Sequence, residues 1–150
     1  MHTLILLLHP LLGFIALLCA FWAMIVLWFD PRAAILSKLF WLTTLSLLGV
    51  WIVAGYWYVH FYGVDKTMIL KGPWPWAHSF FMETKEHLFF IALLLGLYLP
   101  LLAREDLQAK APRNIAFVTL AGIVTLLLYA EGAGAIVAQG AKLAYIAHCK

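Results

Sequence analysis

Two histidines and two carboxylates crowd into "KGPWPWAHSFFMETKEHLFF", residues 71–90, where His78, Glu83, Lys85, Glu86 and His87 precede a long apolar run. Imidazole binds metals through a neutral nitrogen and changes charge near neutral pH, so it serves as ligand or proton carrier. The remaining histidines are His2, His9, His60 and His148. An imidazole inside an apolar span must find a partner, which turns it toward a bundle interior or a functional site. His9 and His87 are the two set deepest in apolar sequence. Counted at about 1.5 Å per residue from helix ends near Phe29 and Ala103, they stand about 30 and 24 Å up and can share a level.

Two imidazoles from different helices at one level suit a six-coordinate haem iron, whose other four bonds come from the porphyrin. The spacing therefore predicts a haem b held by His9 and His87 as axial ligands. Gly13 and Ala16, one and two turns from His9, would leave room for a flat macrocycle, with Phe90 and Tyr98 walling the other side. His60 and His78 are the reserve ligands for a different rotation of the helices. The alternative is that these histidines only hydrogen-bond between helices. No C-x-x-C-H occurs, which excludes covalent c-type haem attachment.

Glu83, Glu86 and His87 stand at i, i+3 and i+4, a spacing that can hold iron, manganese or zinc, but no second Glu-x-x-His appears on another helix. The plainer reading of both glutamates is a solvated helix start beside Lys85, with Glu86 also placed to orient a ligating His87 or His78. Glu131, within an apolar run, is expected to pair with Lys142 or to serve a proton or a quinone headgroup, a structural pairing being preferred.

These residues need helices to hold them. The chain of 150 residues is 65% hydrophobic and 11% charged, with a mean hydropathy of +0.96, against roughly 45–50% apolar and 25% charged in soluble domains. It reads as an all-α membrane protein. A crossing takes about 20 apolar residues, and four candidate helices fit, at roughly 3–29, 36–62, 80–103 and 114–145, in a single domain. Short connections at "FDPR" and "LPLLARED" favour antiparallel neighbours, hence an up-down-up-down bundle. "GYWYVHFYG" reads as an interfacial aromatic belt, and residues 63–76, with Pro73, Pro75, Trp74 and Trp76, as a loop on the membrane surface. Ser79 is the expected N-cap of helix 3. The opening run lacks a basic n-region and is too long for a signal peptide, so it reads as a retained first helix.

The net charge of +3 is taken as a topology signal, with no nucleic-acid partner implied. Arg32, Lys38, Arg104, Lys110 and Arg113 share one side; Lys66, Lys71, Lys85, Lys142 and Lys150 share the other. The tie is broken by helix 1, which has no Lys or Arg before it and Arg32 and Lys38 after it. Both termini and the quoted stretch are accordingly expected outside, in the periplasm if the membrane is a bacterial inner membrane.

"LHPLLGFIALLCA", "EHLFFIALLLGLYLPLLAR" and "EGAGAIVAQGAKLA" resemble an uncharacterised bacterial family of four-helix membrane proteins, some of them fused to cytochrome c modules. The resemblance spans most of the chain on few specific letters and aligns His9 and His87 with the family's histidines. The chain departs from it at Gly13 and Gln139, where members often carry further histidines. The joint expectation is a membrane-embedded electron-transfer subunit rather than a stand-alone enzyme. It would use haem b, have room for quinone, and meet other membrane subunits or an external redox protein such as a cytochrome c. The competing expectation is a cofactor-free accessory subunit of a respiratory or photosynthetic complex.

Overall fold

The computed structural model describes residues 2–148. Four helices are long and apolar enough to cross a membrane. α1 is His2–Phe29. α2 is Ile35–Lys71, α3 is Ala77–Leu102 and α4 is Lys110–His148. They alternate in direction and pack in a ring, α1 on α2, α2 on α3, α3 on α4 and α4 on α1, which leaves α1 and α3 diagonal. The chain is a multi-pass membrane protein with the expected all-α architecture. The end bearing His2, the 72–76 loop and His148 is here the upper end; the two short turns mark the lower end.

Each break has a local cause. α1 stops at Asp30, because Pro31 cannot continue the ladder, and the Asp30 carboxylate accepts the Arg32 N–H at 3.1 Å. Asp106 does the same before α4, accepting the Gln108 N–H at 3.0 Å. α4 then starts earlier than expected, at Lys110, with Pro112 in its first turn, where a missing N–H costs nothing.

The upper boundaries also differ from expectation. α2 does not end at Tyr62 but passes through a π-helical turn, Tyr58–Tyr62, and continues as Gly63–Lys71. Nothing in 63–71 breaks a helix, and Lys71 in its last turn suits the dipole. The chain leaves helix at Gly72, extended at ψ −175° before Pro73. A Cβ on Gly72 would stand 2.7 Å from that of Ala144, so the small residue also permits close approach to α4. α3 opens with a second π-helical stretch, Ala77–Met82, so Ser79 is not its cap; its hydroxyl donates to the Pro75 carbonyl at 3.3 Å. The expected 14-residue surface loop thus shrinks to residues 72–76.

Two cores result. In the lower half Ala16, Ala20, Ala23 and Leu27, one stripe of α1, are fully buried against Phe40 and Leu47 of α2, Leu99 of α3 and Leu120, Ile123 and Leu127 of α4. Thr44 donates to Phe40 O at 2.9 Å and lies 2.6 Å from the Gly96 carbonyl, so its hydroxyl is shared between α2 and α3. Apart from the hydroxyls of Thr43, Thr44, Ser46 and Thr119, what is buried in this half is apolar. In the upper half Tyr62, Ile69, Ala77 and Val137 form a smaller core, flanked by Trp57, Tyr58, Trp74 and Phe81.

Candidate functional site

Helix rotation decides which polar groups meet. Lys85 turns into the bundle, where Glu131 of α4 and Glu86 are its charged neighbours, and a Cβ on Gly134 would lie 2.9 Å from its Nζ. His87 stands two residues on, about 200° round the helix. It therefore occupies the opposite face, exposed, and its Nδ1–H donates to the Glu83 carbonyl at 2.6 Å. Glu83 is exposed as well.

On α1, His9 is half-buried; its Nδ1 is enclosed without a hydrogen-bond partner and its charged neighbour is Lys85. The space beside Gly13 is filled by the Glu131 carboxylate, which a Cβ there would strike. His9 and His87 are accordingly not brought face to face, and Gly13 makes room for a carboxylate of the protein rather than for a macrocycle. Glu131 faces Lys85, not Lys142, which is exposed further along α4.

Above this pair the polar groups continue. Glu86 is half-buried, one of its carboxylate oxygens is enclosed without a partner, and the Tyr58 hydroxyl is directed at the carboxylate. Tyr58 stacks on Tyr62 with ring centroids 5.1 Å apart, and the Trp57 ring lies tilted against Tyr62 at 5.2 Å. The Tyr62 hydroxyl is hydrogen-bonded to His78 Nδ1 at 2.9 Å, while His78 Nε2 is enclosed with no partner. Tyr62 is 1% and His78 3% exposed, so this bond is removed from water. Tyr58 and Tyr62 belong to one π-helical turn and His78 to the other. Such turns re-aim side chains and recur at functional sites.

The result is a row of titratable groups, His78, Tyr62, Tyr58, Glu86, Lys85, Glu131 and His9, supplied by all four helices and confined to the upper half. Below it the apolar core begins. The cavities found at the lower end, one of about 220 Å³ beside Pro31, Ser37 and Gln108 and one of about 60 Å³ beside Trp28 and Arg113, lie away from the row. Among the described residues no three His, Cys, Asp or Glu side chains gather as a metal-ligand set. Glu83, Glu86 and His87 do not, because the first and last point outward while Glu86 turns in.

His60 is exposed, stacked on Tyr56 at 4.3 Å, and donates from Nδ1 to the Tyr56 carbonyl at 2.9 Å. His148 makes the same bond to Ala144 at 3.0 Å. Cys149 and the His2 side chain lie outside the described residues. The interior role of Lys85 was missed from sequence, though a signal existed: Ala92, Gly96 and Leu99, all buried, follow it at 7, 11 and 14 residues on one stripe. Tyr58 and Tyr62 were absorbed into an interfacial belt because aromatic clusters near span ends usually are one.

No family model, curated protein or solved structure matches this chain.

Proposed function

We propose that this protein is the membrane-embedded subunit of an electron-transferring assembly, in which the upper half of its bundle holds and passes protons. The observation that carries the reading is the meeting of Lys85, Glu131 and His9 from three helices inside the span. Charged groups there are costly and mark proton or ligand pathways by default. A structural need alone is a poor reason for them, because well-packed apolar residues do at least as well as a buried ion pair. The same helices pack with alanine and leucine a few turns lower. With the basic turns at the lower end inside, the row lies toward the outer side and stops at the apolar core, which suits proton release from a donor such as a quinol rather than passage across the membrane.

A second reading, haem b, is favoured by one observation. His9 Nδ1 and His78 Nε2 are both enclosed without a hydrogen-bond partner. His9 would then supply one axial ligand from α1, and His87, which faces outward, would not supply the other.

The test is purification from native membranes through a tag on this chain. A redox-active assembly should come with it, and Glu131→Gln should reduce the protons released per electron passed. A chain recovered alone, or proton release untouched by Glu131→Gln, rejects the first reading. A low-spin haem spectrum lost in His9→Ala but kept in His87→Ala supports the second; a colourless chain rejects it.

A further inference from the structure

We propose that Tyr62 is a redox-active tyrosine with His78 as its proton acceptor, an electron relay between the aromatic face of α2 and a high-potential one-electron acceptor held by a partner subunit. The inference deepens the reading of the chain as a redox subunit and depends on that reading for its partner, but not for the chemistry of the pair.

A phenol is hard to oxidise while its proton stays in place, and becomes much easier to oxidise when a base is hydrogen-bonded to it. Tyr62 has that base at 2.9 Å in His78 Nδ1. With the phenol donating, His78 carries its own proton on Nε2 and offers the Nδ1 lone pair. One electron leaves the phenol for the acceptor, the Tyr62 O–H bond breaks, and its proton forms the N–H bond at Nδ1. The products are a neutral phenoxyl radical, an imidazolium and the acceptor reduced by one electron. Return of the electron reverses both transfers. Burial works against the imidazolium, Lys66 adds to that, and Glu83 offsets part of it.

The surroundings suit a radical. Tyr62 and His78 are almost wholly enclosed, which keeps water and stray reductants from the ring. Trp57 and Tyr58, both half-buried, stand one ring away and carry the electron path toward the bundle surface. The other described tyrosines lack this combination. Tyr56 and Tyr98 are exposed, Tyr145 is exposed and donates to Asp65 at 2.8 Å, Tyr58 faces a carboxylate, and the Tyr129 hydroxyl is enclosed without a partner.

The test uses the full chain in lipid nanodiscs, oxidised by a photogenerated ruthenium(III) tris-bipyridine complex and followed by phenoxyl electron paramagnetic resonance. The wild type should give a long-lived phenoxyl signal that Tyr62→Phe removes and Tyr58→Phe retains. His78→Phe and His78→Gln should each lose it, the glutamine keeping a hydrogen-bonding side chain without a base, with helical circular dichroism confirming the fold. A wild-type signal persisting in Tyr62→Phe, or in both folded His78 variants, overturns the proposal. Recovery of the chain without a redox partner would reject the complex and leave this measurement standing.

Discussion

Lys85 of α3 and Glu131 of α4 face each other inside the bundle, and the same Glu131 carboxylate rests against α1 at Gly13, one turn below His9. Glu131 thus links three helices at one level, by its charge to Lys85 of α3 and by contact to Gly13 of α1. Removing one partner leaves the other charge without compensation. Lys85→Met or Glu131→Leu alone should cost roughly 1–3 kcal/mol, below the range for fully buried pairs because both side chains are only partly enclosed. The double variant should recover most of that loss. Chemical denaturation in mixed micelles, read as a double-mutant cycle, measures the coupling; additive losses would mean that the two do not act as a pair.

Gly13 and Gly55 make opposite predictions for the same substitution. A Cβ on Gly13 strikes the Glu131 carboxylate, whereas one on Gly55 meets nothing within 4 Å. Gly13→Ala should destabilise by roughly 1–3 kcal/mol through overpacking, and the loss should shrink in an Glu131→Ala background. Gly55→Ala should be neutral or stabilising by up to about 1 kcal/mol, because alanine loses less backbone entropy in a helix. Thermal unfolding of the wild type, Gly13→Ala, Glu131→Ala, their double variant and Gly55→Ala decides it.

The four crossings and the turn after α1 were legible because they follow from apolar run length and from Asp30 and Pro31, whereas the start of α4 was set too late because Pro112 is tolerated in a first turn. Helix rotation was not legible. In a soluble bundle the polar face points outward, but lipid is as apolar as a leucine core, so on α3 only the small-residue stripe of Ala92 and Gly96, and no polar–apolar contrast, tells Lys85 from His87. Depth could be counted from the sequence and azimuth could not, which is why His9 was placed inward and His87 was too. The extension of α2 was hidden for a related reason: Asp65, Lys66 and Thr67 end the apolar run, while the helix continues past the run by way of a π-helical turn.

His87 and His78 should respond differently to alanine. His87 is exposed and bonded only within its own helix, so His87→Ala should change stability by no more than about 0.5 kcal/mol. His78→Ala strands the Tyr62 hydroxyl in an enclosed site, a loss of roughly 1–3 kcal/mol, and Tyr62→Phe should cost a comparable amount by stranding His78 Nδ1. Equal and large losses for His87→Ala and His78→Ala would show that α3 is rotated from the position described.

Orientation in the membrane follows from charge and can be tested with single cysteines. Ser37 is exposed near the lower turn, close to Arg32 and Lys38, and Thr67 is exposed on the upper extension of α2. Thirty residues of helix separate them, about 45 Å, more than the roughly 30 Å hydrocarbon core, so a label that cannot cross the membrane reaches one and not the other. The basic residues that follow α1 should hold the lower turn inside. In a background with Cys19→Ala and Cys149→Ser, Thr67→Cys should react with an impermeant maleimide in intact cells, and Ser37→Cys only after the cells are broken. The reverse pattern would turn the row from His78 to His9 toward the inside, and proton release through it would then run to the inner compartment.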